Sequence, residues 1–196
     1  MIFAGLVFDR QLLNLGPLLR VTGAVLIFCL VSGLTYTLND ILDVEADLMH
    51  PQKRHRPIAS GRLSLRSARI FAAVLALIAF PAAFALSTNF GIICLVYTTL
   101  ILSYSKWLKK IILIDVMVIA LGFVLRVAAG VLVIQVNYFS PWLLVLTTFL
   151  ALYLGFGKRL SEIKLLEDQA GAHREVLYGY TAPLLNNLLV VMLSSI

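Results

Sequence analysis

The sequence predicts an all-α fold, a polytopic bundle of membrane-spanning helices, from three observations. Of 196 residues, 61% are hydrophobic and only 13% charged, where soluble domains carry roughly a quarter charged residues. Apolar runs long enough to cross the ~30 Å hydrocarbon core recur from end to end and leave no soluble domain of useful size between them. The basic residues gather at the ends of those runs, as expected of loops between spans. One integral domain over residues 1–196 is the economical organisation.

Residues 1–8 form a brief apolar run followed by Asp9 and Arg10. It is too short to span, lacks a signal-peptide cleavage pattern and reads as a truncated helix. Residues 18–38 give the first full span, in which Gly23, Ser32 and Gly33 would allow close helix contact. The charged stretch YTLNDILDVEADLMHPQKRHRPIASG follows over 36–61. The chain spans back over 68–86, with Pro81 expected to kink the helix, turns at 87–89 and returns over 90–104. YSKWLKK (104–110) is the second polar island, and a span from Asp115 to Ile134 comes next. A short loop at 135–140 precedes a span over 142–157, a third polar loop GKRLSEIKLLEDQAGAHREV, and a last apolar run over 178–196. Cys29 and Cys94 have no partner Cys or His at metal spacing and read as small core residues.

Six Lys and Arg fall between Lys53 and Arg69, three between Lys106 and Lys110, four between Lys158 and Arg174, and none in the two opposite loops. By the positive-inside rule the three polar loops face the cytoplasm. A formal charge of +6 raises nucleic acid as a partner. The basic residues lack the interleaved aromatics of a binding platform, so membrane topology accounts for them and no nucleic acid is expected.

Asn39, Asp40, Asp43 and Asp47 sit at the end of the first span, and on a helix the three carboxylates share one stripe while Glu45 points elsewhere. Like charges so placed repel unless something cationic lies against them, and hard oxygen ligands at this spacing suit Mg²⁺. Magnesium implies a phosphate, because Mg²⁺ is usually held by one or two carboxylates plus substrate phosphates. Lys53, Arg54 and Arg56, with His50 and His55 interleaved and Pro51 and Pro57 stiffening the turn, fit a phosphate clamp; a solvated juxtamembrane loop is the plainer alternative for the basic run alone. Asp115 follows Lys109 and Lys110 at the same membrane face, as a functional carboxylate or as local charge balance. Arg126, eleven residues on, returns to nearly the same helical face about 16 Å deeper. Such a cation faces the bundle interior or a wet cavity, in a pocket or in helix packing. Lys158, Arg159 and Glu162 either bind phosphate or anchor helix ends.

NDILDVEAD resembles the NDxxDxxxD first motif of the UbiA superfamily of intramembrane prenyltransferases. HPQKRHRPIASGRLS resembles, more narrowly, its decaprenyl-phosphate phosphoribosyltransferase branch, as do YSKWLK before a lone Asp115, GKRLSEI and HREVLYGY, while GFVLRVAAG around Arg126 resembles the family's stretch after that Asp. The resemblance covers nearly the whole chain and implies a UbiA-type bundle that transfers 5-phosphoribose from phosphoribosyl pyrophosphate to a polyprenyl phosphate and releases pyrophosphate. It implies Mg²⁺, with Mn²⁺ as a substitute, on Asp40, Asp43 and Asp47, helped by Asp115. Lys53, Arg56, Tyr104 and Lys109 would be the first phosphate contacts, with Asn39, Arg54, Arg126, Lys158 and Arg159 completing the substrate site. The setting would be a bacterial or archaeal plasma membrane, with a homo-oligomer left open. Where prenyl-transferring members resemble DxxxD, the fourth position after Asp115 is Ile119. That departure counts against the alternative, transfer of an isoprenyl group from its diphosphate to an aromatic or polar acceptor. A transporter or anion channel is a further alternative that only Arg126 favours. The superfamily bundle has more helices than the six spans and end fragments read here, so the chain reads as incomplete at both ends.

Overall fold

The computed structural model describes residues 1–49, 52–134, 140–167 and 179–196. Its elements are α1 (Ala4–Phe8), α2 (Leu15–Leu42), α3 (Val44–Met49), α4 (Leu65–Leu86), α5 (Thr88–Lys106), α6 (Ile114–Ile134), α7 (Pro141–Glu167) and α8 (Ala182–Ser194). Two 3₁₀ turns, Lys53–His55 and Leu108–Lys110, interrupt the polar segments, and there is no strand among the described residues. Helices α2, α4, α5, α6 and α7 are long and apolar enough to cross a membrane. The protein is an integral membrane protein.

Helix α6 is the hub. Half of its span is buried, more than in any other of the five, because α1, α2, α5 and α7 all pack on it. Helix α4 is the opposite case. It buries a single stripe, Ala68, Ala72, Leu75, Ala79 and Ala83, against α2 and α5, while Ile70, Phe71, Val74, Leu77 and Ile78 point outward as a lipid-facing side would. Small residues on that stripe bring the helices close, which is how association proceeds where lipid is as apolar as leucine.

The sequence placed the close-packing residues differently. A Cβ added at Gly23 would meet nothing within 4 Å, and one at Gly33 only Leu75 at ordinary contact distance; the small-residue seam belongs to α4. Cys29 is likewise exposed on the outside of α2, whereas Cys94 is buried as expected. A tighter seam holds α1 against α6, where a Cβ at Gly130 would lie 1.9 Å from the Ile2 carbonyl oxygen, so only glycine fits there.

The turn expected at 87–89 contracts to Ser87, an extended residue between two helices. Helix α4 runs through Pro81, and its start is capped by the Ser64 hydroxyl, which accepts from the Ser67 N–H at 3.0 Å. Ahead of that cap, Gly61 adopts φ 75°, a left-handed conformation that glycine takes without strain. The last apolar run yields α8, 13 residues long, short of the ~20 needed to span. Residues 135–139 of the loop predicted at 135–140, His50, Pro51 and most of HREVLYGY lie outside the described residues.

Candidate active site

Helix α2 continues through Asn39 and Asp40, stops at Asp43, and the chain turns again as α3, which carries Asp47. The break divides the carboxylates between two cations. Arg56 donates from one guanidinium nitrogen to Asp40 at 2.8 Å and to Asp47 at 2.9 Å. Lys109, on the 3₁₀ turn after α5, donates to both oxygens of Asp43 at 3.0 and 3.1 Å. Arg56 is held over α3 because the loop folds on itself: Ser60 N–H donates to the Arg56 carbonyl, Leu63 N–H to the Pro57 carbonyl, and Arg62 to the His55 carbonyl. The repulsion along the stripe is thus answered by the chain's own cations.

Next to this rim a cavity of about 270 Å³ opens into the bundle, lined by Thr35, Tyr36 and Asn39 of α2, by Tyr97, Tyr104 and Ser105 of α5, and by Ile119, Phe123 and Arg126 of α6. The Ser105 hydroxyl donates to the Asn39 side-chain carbonyl at its neck. At another wall the Arg126 guanidinium donates to the Tyr97 hydroxyl at 2.7 Å and lies over the rings of Tyr97, Phe28 and Phe123 at 5.3, 5.7 and 5.6 Å. Arg126 therefore belongs to a cavity wall and to helix packing at once.

A second ionic cluster lies apart from the cavity. Asp115, fully buried at the start of α6, accepts from Arg159 Nε of α7 at 2.7 Å on one oxygen and from the Tyr180 hydroxyl on the other. Arg159 also donates to Glu162 at 2.5 Å, and the Tyr180 oxygen accepts from the Leu113 N–H at 2.7 Å. Leu113 has φ 68°, unusual for a side-chain-bearing residue, and this hydrogen bond holds it there. Burial pushes the Tyr180 phenol up, and its hydrogen bond to Asp115 adds to the rise, so it remains a neutral donor.

The residues read from sequence therefore separate into groups. Asn39, Asp40, Asp43, Asp47, Arg56 and Lys109 meet at the rim; Asn39, Tyr104 and Arg126 line the cavity. Lys53 is half-buried beside Arg56, and Arg54 and Lys158 are exposed. Asp115 and Arg159 are committed to each other and do not line the cavity. Sequence reasoning missed Ser105, Tyr97, the ring cage and Tyr180. A hydroxyl inside an apolar helix is the signal that marks Tyr97 and Ser105, since a buried polar tip needs a partner. Tyr180 bonds to a carboxylate 65 positions away, which no local pattern reveals.

The donor chemistry fits Mg²⁺: Asp40 and Asp47 converge on one point with Asp43 and Asn39 nearby, all hard oxygen groups. As they stand, no three His, Cys, Asp or Glu side chains among the described residues are grouped to hold a metal ion. Arg56 fills the place between two of the carboxylates and Lys109 draws off the third. A metal here requires the cations to withdraw.

Residues 2–178 match the UbiA prenyltransferase family. The chain is 34% identical over 163 residues to the decaprenyl-phosphate phosphoribosyltransferase of Mycolicibacterium smegmatis, covering 83% of this chain and 51% of that protein. It is 34% identical over 170 residues to the protein of the same name from Corynebacterium glutamicum, covering 86% of this chain and 51% of that one. The chain thus spans about half the length of the curated relatives it matches. A solved UbiA homologue from Archaeoglobus fulgidus, bound to DMAPP and Mg²⁺, superposes with a TM-score of 0.73 at 20% identity, over 89% of this chain and 62% of that one. The helical architecture, the family match and the relatives agree, and the chain belongs to the UbiA prenyltransferase family.

Proposed function

We propose that this site transfers 5-phosphoribose from phosphoribosyl pyrophosphate to a polyprenyl phosphate. The observation that carries the proposal is identity of one third, over 83% of the chain, to relatives named for that transfer. A phosphate oxygen of the lipid attacks C1 of the ribose, the bond from C1 to the pyrophosphate oxygen breaks, and its electron pair leaves with pyrophosphate. No general base is required, since the lipid phosphate is already an anionic nucleophile at neutral pH, and the protein's part is positioning and charge stabilisation. Mg²⁺ on Asp40, Asp43 and Asp47 would neutralise the departing pyrophosphate. Arg56 and Lys109, once released from those carboxylates, turn to phosphate oxygens, with Lys53 and Arg54 adding charge at the rim. Asn39, Tyr104 and Ser105 orient the sugar at the neck of the cavity. Ile119 lines the cavity with an apolar side chain where a further carboxylate would repel a doubly phosphorylated donor. Asp115 and Arg159 act as positioning residues, and the lipid tail lies against the apolar helices. The rim faces the cytoplasm, in keeping with thirteen Lys and Arg in the three polar segments and none in the two opposite loops.

The test is to incubate membranes holding the protein with labelled phosphoribosyl pyrophosphate and polyprenyl phosphate. Label entering the lipid fraction, and ceasing when the metal is chelated, is the expected result. Geranyl or farnesyl transfer to an acceptor, with no ribose phosphate on the lipid, would overturn the proposal. For orientation, Cys at Ser64 in a background without Cys29 and Cys94 should resist impermeant thiol reagents in intact cells, while Cys at Ser87 reacts; equal labelling would reverse the topology.

A further inference from the structure

The geometry points to Arg126 as the subsite for the phosphate monoester of the donor, the residue that distinguishes a sugar 5-phosphate from an isoprenyl tail; this rests on the donor proposed above. Arg126 sits in an apolar span, and no carboxylate pairs with it among the described residues. The rings of Tyr97, Phe28 and Phe123, 5.3, 5.7 and 5.6 Å away, hold the cation without neutralising it. A charge so placed in a span is costly unless it meets a partner or water. Of its five N–H groups only one has an acceptor among the described residues, the Tyr97 hydroxyl. Arg126 lines the open cavity and is only partly buried, so its remaining donors are within reach of a ligand there.

The shape of that cavity selects the occupant. It joins Asn39, one residue from the carboxylate rim, to Arg126. Phosphoribosyl pyrophosphate is anionic at both ends of one sugar ring. With its pyrophosphate at the rim, its sugar enters the neck and its 5-phosphate meets the guanidinium, which can take two phosphate oxygens at once. At about 270 Å³ the space is at the small end of ligand sites and suits a sugar phosphate, not a long polyprenyl chain. An isoprenyl diphosphate in the same pose would press hydrocarbon against the guanidinium and strip water from it without supplying an acceptor. Discrimination of this kind works by leaving a buried polar group unpaired with the wrong ligand.

Titration calorimetry in lipid nanodiscs with Mg²⁺ present, using phosphoribosyl pyrophosphate, inorganic pyrophosphate, farnesyl phosphate and geranyl diphosphate, tests the assignment. Arg126→Gln should weaken phosphoribosyl pyrophosphate about ten- to a hundredfold, the span expected for lost charge-assisted hydrogen bonds, and leave pyrophosphate binding unchanged. Arg126→Lys should fall between, and if the Gln variant does not fold, Arg126→Lys and Tyr97→Phe carry the same comparison. Equal effects on phosphoribosyl pyrophosphate and pyrophosphate, or none on either, would overturn the subsite while leaving the proposed transfer standing. Loss confined to farnesyl phosphate would move Arg126 to the lipid acceptor and overturn it too. Wild-type protein that binds geranyl diphosphate but not phosphoribosyl pyrophosphate would remove the donor assignment itself, and the subsite with it.

Discussion

Two clusters in this protein are built from the same parts, an aspartate with an arginine or lysine, yet their surroundings oppose them. At the rim both cations reach water, Arg56 at 36% and Lys109 at 34% exposure, although Asp47 is itself only 4% exposed; in the second cluster both partners are buried, Arg159 at 3% and Asp115 at 0%. Ion pairs in contact with water contribute little, so their members can change partners at small cost. A buried pair cannot be opened that way, because each charge left behind has lost its hydration. Burial therefore separates a set of charges that can change partners from a set that fixes the positions of α6, α7 and the chain entering α8.

Breaking the buried cluster should have the largest effect. Arg159→Ala leaves Asp115 buried without its cation and is expected to cost about 3–5 kcal/mol. Unfolding in detergent would show it, and Arg159→Met with Asp115→Leu should recover much of the loss; a single variant as stable as wild type would mean the two clusters do not differ as described. At the rim the damage should appear in turnover and not in stability. Asp43→Asn is expected to lower the rate by about a hundred- to thousandfold, the range seen when one preorganised electrostatic contact is removed, with an unchanged melting point, its side chain being 23% exposed. Tyr180→Phe should lie between the clusters in character, costing about 1–3 kcal/mol by leaving the Leu113 N–H and one Asp115 oxygen short of a partner. The smallest stability change belongs to Lys109→Ala, within about 1 kcal/mol, because its partner Asp43 is 23% exposed. Arg56→Ala should bind Mg²⁺ more readily when no phosphate is present, since the guanidinium between Asp40 and Asp47 is gone; metal affinity that does not rise would show that Arg56 does not occupy the metal's place.

The rim was legible in sequence and the buried cluster was not. Asp40, Asp43 and Asp47 announce themselves by their spacing, although the single helix it suggests breaks at Asp43, and Arg56 follows within the same polar segment. Arg159 and Asp115 were each visible as charges near a membrane face, but their pairing across 44 positions depends on how α6 meets α7. Arg126 was placed by periodicity on an inward face; the rings that hold it come from three helices and needed coordinates. Hydropathy located five spans and overextended the sixth, because an apolar run of span length says nothing about where a helix begins, and Thr181 caps α8 with Pro183 just inside it. Gly23 and Cys29 misled for one reason: composition gives the size of a residue in a uniformly apolar helix and not which side of it touches protein.

The single residue that links α4 to α5 also bears on how the protein is made. From Ile70 to Ser105 the chain contains no charged side chain, and with only Ser87 at the bend there is almost no polar backbone to carry across the bilayer. The two helices can enter the membrane together as a hairpin from the side of their basic flanks, without a translocated loop. Biogenesis of this part of the protein then depends on the hydrophobicity of the pair as a unit, and lysines inserted next to Ser87 should reduce the yield of inserted protein in a translocation assay while the ionic clusters themselves remain untouched.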